Sequence, residues 1–414
     1  MIQYGLCGRT LKHSYSKIIH ELLGNEQYNL YSLEKDEFYE LMESKGFKAL
    51  NVTIPYKTDA YNLCDVVSEE AKNIGSVNTV VNKDGKLYGY NTDYAGFVYM
   101  LKRAKIDIKG KKVLIFGSGG TSLTARAVCK AEGARQCIVV SRKGQVNYDN
   151  VYLHSDAEII INTTPVGMYP DNGRKIIELS KFPDLTGVVD VIYNPLKTAL
   201  VLEAQKRGLP CTTGLSMLVA QAVRAHEYFF DVKIEDCVIE DVLVKCMKKI
   251  LNVVFVGMPG CGKTSVGKEY ARITGRSFLD TDVFVEQCGM SIPEIFEKYS
   301  EEYFRDKETQ AIEMLCALSE KVIATGGGAV KREKNIELIK QNGIVVYLKR
   351  ELEKLSTDCR PLSAGGYDKI LELYEQRHEI YENAADIIIE THEDVAECAQ
   401  RLYRMIDEKL PTLF

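Results

Sequence analysis

The sequence predicts an α/β protein of two or three domains built on parallel sheets. Three observations carry this. Two apolar strands run into glycine-rich turns and then helices, at Lys112–Gly120 and at Asn252–Thr264, with Gly117 and Gly257 140 positions apart. Between them, β-branched stretches at 112–116, 137–141, 158–162 and 187–191 alternate with helix-like stretches, the pattern of a parallel sheet. The 414 residues are 45% hydrophobic and 27% charged, ordinary for globular proteins and long enough for several domains at roughly 100–200 residues each.

Composition also sets exclusions. Lys and Arg number 53 against 58 Asp and Glu, a net charge of −5, which gives no global attraction for nucleic acid. Anionic ligands must be held by local cations and backbone amides. No apolar run approaches the roughly 18 residues of a membrane-spanning helix. The first nine residues, Met1 to Arg9, do not read as a signal peptide, so a cytoplasmic enzyme is expected. Twelve cysteines contain no CxxC pair and six histidines are scattered, so reduced thiols are expected and neither a disulfide framework nor a zinc site.

Residues 1–100 alternate short strands and helices and carry unusual polar clusters. These are His13-Ser14-Tyr15-Ser16, Asn51-Val52-Thr53-Ile54-Pro55-Tyr56-Lys57, Gly75-Ser76-Val77-Asn78-Thr79 and Gly89-Tyr90-Asn91-Thr92-Asp93. Hydroxyls, amides, one Lys and one Asp suit a small polyhydroxylated ligand, although each cluster alone could be turn chemistry.

The strand 112–116 opens the next unit. Gly117-x-Gly119, with Gly120 next and Ser122 at the third small position, is the first part of a dinucleotide fingerprint. Such glycines let backbone approach a pyrophosphate at a helix N-terminus. A tight turn with no ligand is the alternative. The following strand, Ile138-Val139-Val140, ends in Ser141-Arg142-Lys143. A carboxylate there would receive a ribose 2′-hydroxyl; two cations instead suit a 2′-phosphate, as in NADP, with a solvated surface pair as the alternative. Residues 214–230 and 235–249 read as helices, and the junction with the second half is placed near Lys248-Lys249.

Together the clusters of the first half resemble the shikimate dehydrogenase family over residues 1–249. The resemblance extends to Gly5-Leu6-Cys7-Gly8, Asn162-Thr163-Thr164-Pro165-Val166-Gly167-Met168, Asp190-Val191-Ile192-Tyr193-Asn194-Pro195 and Gly214-Leu215-Ser216-Met217-Leu218-Val219-Ala220-Gln221. It implies a substrate-binding domain over 1–100, completed by returning helices at 214–249, around an NADP-binding Rossmann domain over 101–213. It also implies Lys57 and Asp93 as the catalytic pair, with Ser14, Ser16, Thr53, Asn78, Tyr193 and Gln221 holding substrate. Gly117, Gly119, Gly120, Ser141, Arg142 and Lys143 would bind the cofactor. Arg9-Thr10 and Lys17 stand where family members often carry prolines.

In the second half, Gly257-x-x-x-x-Gly262-Lys263-Thr264 is a complete phosphate-binding loop between a strand and a helix. Its amides, with Gly260 and Gly262 giving the turn, cradle phosphates; Lys263 reaches the outer phosphates and Thr264 coordinates Mg²⁺. The loop alone does not separate a GTPase, an ATPase and a small-molecule kinase. Asp280-Thr281-Asp282, Phe304-Arg305, Gly326-Gly327-Gly328, Arg360-Pro361-Leu362 and Arg377 followed by Tyr381 narrow it. With them, residues 250–414 resemble shikimate kinase, a parallel α/β phosphate-loop fold similar to nucleoside-monophosphate kinases. The resemblance implies shikimate binding by Asp282, Arg305, Arg377, Gly327 and Gly328. It implies Asp280 beside the metal, Asp282 and Lys263 in catalysis, and Arg360 on a mobile lid near 356–370.

The two resemblances imply one bifunctional enzyme. It would use NADPH to reduce 3-dehydroshikimate to shikimate, then ATP and Mg²⁺ to phosphorylate shikimate. The alternatives are an NAD-dependent quinate/shikimate dehydrogenase fused to the kinase, and a catalytically dead shikimate sensor. Small-molecule substrates are expected, and neither nucleic acid nor membrane.

Overall fold

The computed structural model describes residues 2–413 apart from 12–13, 288, 356–365 and 392–393. Contacts divide the chain into Met1–Cys246 and Met247–Phe414.

The first unit holds two sheets. One contains β1 (Ile2–Gly8), β2 (Tyr28–Ser32), β3 (Phe47–Val52), β4 (Val66–Val67), β5 (Thr79–Lys83) and β6 (Lys86–Tyr90), in the order β2-β1-β3-β5-β6-β4. Alternation of strands and helices in this region predicts a parallel sheet, but β5 is antiparallel to both β3 and β6. Between β5 and β6 the cause is the two-residue hairpin Asp84-Gly85, in which φ is +54° and +79°. Two successive positive φ values are what a type I′ turn needs, and Asp-Gly adopts them readily. One face of the sheet buries Phe38, Met42, Phe47, Leu50 and Tyr56. The other packs Tyr4, Leu6, Tyr28 and Val81 against Ala225 and Phe229 of the helix Gly214–Phe230.

The antiparallel strands position chemistry. Cys7 pairs with Val52, Asn51 with Thr79, and Thr79 with Tyr90. The ends of β1, β3 and β6 and the start of β5 therefore gather at one edge. Ser14, Ser16, Thr53, Lys57, Asn78 and Asp93 lie on the segments that leave or enter the sheet there.

The second sheet is wholly parallel: β7 (Lys112–Phe116), β8 (Gln136–Val140), β9 (Ile159–Asn162), β10 (Gly187–Asp190) and β11 (Cys211–Thr212), in the order β11-β10-β9-β7-β8. Successive side chains of a strand take opposite faces. Val113 and Ile115 accordingly pack with Phe97, Met100 and Val128, while Leu114 and Phe116 pack with Phe182 and Leu200. Cover on both faces explains why these strands read as unbroken apolar runs.

The second unit is also parallel: β12 (Asn252–Val256), β13 (Ser277–Asp280), β14 (Lys321–Ala324), β15 (Gly343–Lys349) and β16 (Ile387–Glu390), in the order β13-β14-β12-β15-β16. The division between units falls inside the helix Asp236–Ile250. Lys248 belongs with the second unit: its Nζ donates to Tyr403 Oη at 2.8 Å and pairs with Asp407 at 2.7 Å.

Candidate active sites

Lys57 opens the helix Lys57–Leu63, just beyond β3. Its carbonyl accepts from Val77 N–H at 3.0 Å, tying it to the segment that carries Asn78. Asp93 lies in the first turn of the helix Thr92–Arg103, where the helix dipole favours an anion. That helix has no cap from its own N-cap side chain; instead Thr92 N–H donates to Asn78 Oδ1 at 2.7 Å. Lys57 Nζ meets Asp93 Oδ2 at 2.5 Å, and Asn78 Nδ2 donates to Asp93 Oδ1 at 2.9 Å. Gln221 Oε1 accepts from Thr92 Oγ1 at 3.3 Å and from Asn78 Nδ2 at 3.4 Å. The residue that lets Gln221 come so close is Gly96: a Cβ there would stand 2.6 Å from Met217 O and 3.0 Å from Gln221 Cβ.

The structure thus joins Lys57, Asp93, Asn78 and Gln221 in one network. Ser14 and Ser16 form a separate pair, Oγ to Oγ at 3.1 Å. Thr53 is fixed by its amide on Cys7 O at 2.9 Å. Tyr193 stacks obliquely on Tyr15, ring centroids 5.6 Å apart. His13 lies outside the described residues.

In the second sheet, Gly117 has φ +111° and a Cβ on it would strike Thr163 Oγ1, while Gly119 and Gly120 face open space. Gly117 N–H donates to Val140 O at 2.9 Å, which sets the glycine turn beside Ser141. Arg142 and Lys143 are exposed and form no ion pair with the described residues. An open glycine turn flanked by two unpaired cations fits a dinucleotide with an additional phosphate. At the ends of β9 and β10, buried Asp190 accepts from Asn162 Nδ2 (3.0 Å), Ile192 N (3.1 Å) and Thr198 Oγ1 (2.7 Å). Burial pushes its carboxyl up to about 6 despite those three hydrogen bonds.

In the second unit the phosphate loop follows β12. Gly257, Gly260 and Gly262 have φ of +145°, +84° and +100°, conformations that favour glycine. Lys263, 8% exposed, folds over the loop and donates to the carbonyls of Gly257 (2.9 Å) and Met258 (3.0 Å). Thr264 Oγ1 donates to Asp280 Oδ2 at 3.0 Å, and Asp280 Oδ1 caps the next helix through Asp282 N at 3.0 Å. A hydroxyl and a carboxylate side by side suit a hard cation with oxygen ligands, such as Mg²⁺.

The triple glycine joins the remaining parts. A Cβ on Gly326 would stand 2.7 Å from Asp282 Oδ1, and one on Gly327 would stand 2.7 Å from Pro259 Cγ; one on Gly328 would strike the Arg305 guanidinium. Backbone here fits against the acceptor residues on one side and the phosphate loop on the other. Arg377 Nη1 donates to Gly327 O at 3.1 Å, and Tyr381 Oη donates to the same oxygen. Arg360 and most of the segment 356–370 lie outside the described residues.

The profile of the shikimate dehydrogenase substrate binding domain matches residues 6–80. A shikimate dehydrogenase (NADP(+)) of Clostridium perfringens strain SM101 is 37% identical over 266 residues, covering 59% of this chain and 98% of the relative. This chain belongs to the shikimate dehydrogenase family. A second family member, from Caldanaerobacter subterraneus, is 38% identical over 249 residues, covering 53% of this chain and 88% of its own.

Among solved structures, the chorismate mutase/shikimate 5-dehydrogenase fusion from Clostridium acetobutylicum superposes with a TM-score of 0.55 at 33% identity, covering 58% of this chain and 95% of that one. Shikimate 5-dehydrogenase from Thermus thermophilus, solved with NADP(H) and shikimate, gives 0.53 at 28% identity, covering 59% and 100%. The shikimate kinase profile matches residues 259–407. The chain is therefore a bifunctional shikimate-pathway enzyme, an NADP-dependent shikimate dehydrogenase followed by an ATP-using shikimate kinase.

Sequence reading of this dehydrogenase–kinase gave no individual role to several site residues. Thr92 shares the Asn78–Gln221 network, and Asp190 organises the turn before Tyr193. Glu308 accepts from Arg305 Nη1 at 2.8 Å, while its own Oε1 has no partner. Burial pushes the Glu308 carboxyl above its ordinary range and the Arg305 charge draws it partly back. The spacing Arg305-x-x-Glu308, three apart on one helix face, is a signal that could have found it.

Proposed function

We propose that the chain catalyses two consecutive steps: NADPH-dependent reduction of 3-dehydroshikimate to shikimate, and phosphorylation of shikimate by ATP to shikimate 3-phosphate. The observation that carries the first step is the half-buried Lys57–Asp93 pair held by Asn78. NADPH supplies the hydride. As the substrate carbonyl gathers negative charge, the Lys57 ammonium donates to that oxygen and neutralises it, while Asp93 orients the ammonium. Ser14, Ser16, Thr53, Asn78, Tyr193 and Gln221 hold the substrate's carboxylate and hydroxyls. Gly117, Gly119, Gly120 and Ser141 seat the cofactor, and Arg142 with Lys143 binds its 2′-phosphate.

For the second step, ATP with Mg²⁺ supplies the phosphoryl group. Gly260, Gly262 and Lys263 hold its phosphates, and Thr264 with Asp280 holds the metal. Asp282 accepts a hydrogen bond from the attacking hydroxyl, and Arg305, Arg377, Gly327 and Gly328 bind the shikimate carboxylate and ring. Arg360 neutralises charge on the phosphoryl group.

The domain assignment we favour is 1–100 with 214–249 for the dehydrogenase substrate, 101–213 for NADP, and 250–414 for the kinase. No helix among the described residues is long and apolar enough to cross a membrane, and we place the enzyme in the cytoplasm. The test is a coupled assay on the purified chain: NADPH oxidation on adding 3-dehydroshikimate, then ADP release on adding ATP. NADPH oxidation without ADP release would reject the kinase half of this reading.

A further inference from the structure

The donor side of the kinase unit carries a cation that no carboxylate among the described residues claims. Arg350 directly follows β15, the strand that pairs in parallel with β12 through Val256 and Tyr347. The two strands therefore end side by side, one in the phosphate loop and the other in Arg350. Their approach is close: a Cβ on Gly257 would stand 2.7 Å from Leu348 O. Arg350 Nη1 lies 4.0 Å from where a Cβ on Gly262 would be, over the last glycine of the loop.

The neighbouring basic residues are neutralised. Lys349 pairs with Glu382 at 3.1 Å and Lys354 with Glu351 at 2.8 Å. Arg350 forms no ion pair or hydrogen bond with the described residues, and its Nε is buried without a partner. A half-buried guanidinium with an unpaired buried N–H is costly unless an anion completes it. Its place in the sheet says which anion. Asp282, Arg305 and the triple glycine come from the β13–β14 side of β12, and Arg377, though it follows β15, is turned to them by its bond to Gly327 O, whereas Arg350 leaves β15 over Gly262 of the phosphate loop. The loop itself offers amides to phosphates, and a guanidinium fork matches phosphate oxygens.

We propose that Arg350 binds the diphosphate portion of the nucleotide, the part common to ATP and ADP, and so sets nucleotide affinity rather than acceptor affinity. This rests on reading the unit as a kinase. Arg350 acts as a fixed clamp on phosphates that do not transfer, complementing Lys263 on the outer phosphates.

The experiment compares full-length wild type, Arg350→Ala and Arg350→Lys. Calorimetry with ADP alone is the primary readout, followed by kinase rates against ATP and against shikimate. Arg350→Ala is expected to weaken ADP about tenfold or more and to raise KM for ATP similarly, with KM for shikimate within about twofold of wild type. Arg350→Lys should recover part of the loss, because it keeps the charge but not the fork. ADP binding by Arg350→Ala equal to wild type would overturn the proposal. So would parallel losses for ADP and shikimate with a lowered melting temperature, which would mark a structural role. If wild type binds ADP but phosphorylates no shikimate, the kinase reading fails separately, and the ADP comparison still decides the role of Arg350.

Discussion

The Lys57 ammonium and the Asp93 carboxylate stand 2.5 Å apart, with their side chains only 18% and 12% exposed. Asn78 holds the other Asp93 oxygen, so the pair is fixed from two directions. Replacing Lys57 with Ala removes the only group in this network that can both donate to and neutralise an alkoxide. Dehydrogenase kcat and kcat/KM should fall together by roughly two orders of magnitude or more. Kinase rates should stay near wild type. Steady-state kinetics of both reactions checks this; a variant keeping more than a tenth of the dehydrogenase rate would remove Lys57 from its role.

Arg142 and Lys143 have no carboxylate partner among the described residues, so their charge is available to a ligand. Arg142→Ala should weaken NADPH by about tenfold or more, the worth of one charge-assisted contact, and leave NADH nearly unchanged. Fluorescence titration with both cofactors measures it. Equal losses would assign Arg142 a structural role only.

Asp190 gives a pH signature. Its carboxyl sits at about 6 in the fold against an ordinary 3.8, because burial penalises the charge. A raised folded value means the native state holds the proton more tightly than the unfolded chain does. The stabilisation from this group is therefore full below about pH 4 and is lost as pH rises through 6. Relative to Asp190→Asn, wild type should gain up to roughly 3 kcal/mol between neutral pH and pH 4. Calorimetric unfolding of both proteins across that range tests the sign. A difference that does not change with pH would contradict it.

Glu308 holds Arg305 against the triple-glycine wall from a wholly buried position. Glu308→Gln weakens that hold. KM for shikimate should rise by about tenfold while ADP affinity stays constant. Unchanged KM for shikimate would mean that Glu301, which also accepts from Arg305 at 3.0 Å, is a sufficient anchor.

The place of Lys248 bears on where the chain can be cut. Its ammonium reaches Asp407 and Tyr403, and Arg276 donates to the carbonyls of Lys248 and Leu251. A fragment starting at Met247 keeps these contacts; one starting at 250 loses those of Lys248. The longer fragment should melt higher and retain kinase activity, and residues 1–246 should retain dehydrogenase activity. Thermal melts and rates of the three fragments check this. Equal melting of the two kinase fragments would show that the contacts contribute nothing measurable, as many exposed ion pairs do.

Much of this was legible in the sequence where chemistry and local spacing coincide. The phosphate loop needs three glycines of positive φ and a Lys within eight residues, and every part of it is contiguous. The parallel strands 112–116 and 252–256 appear with the bounds their apolar runs suggest. What was hidden depends on long-range approach. Gln221 meets Asn78 and Thr92 across 143 and 129 positions because Gly96 admits a neighbouring helix. Nothing in local spacing announces that. The strand–helix alternation around Asp84-Gly85 masked the hairpin that makes β5 and β6 antiparallel.

The central claim is that two consecutive reactions run on two separate residue sets of one chain. The most direct measurement follows product formation by mass spectrometry after mixing 3-dehydroshikimate, NADPH, ATP and Mg²⁺ with wild type, Lys57→Ala or Lys263→Ala. Wild type should convert 3-dehydroshikimate to shikimate 3-phosphate. Lys57→Ala should leave 3-dehydroshikimate unreduced yet phosphorylate added shikimate, and Lys263→Ala should stop at accumulated shikimate. Loss of both reactions in either folded variant, or no phosphorylated product from wild type, would contradict the account.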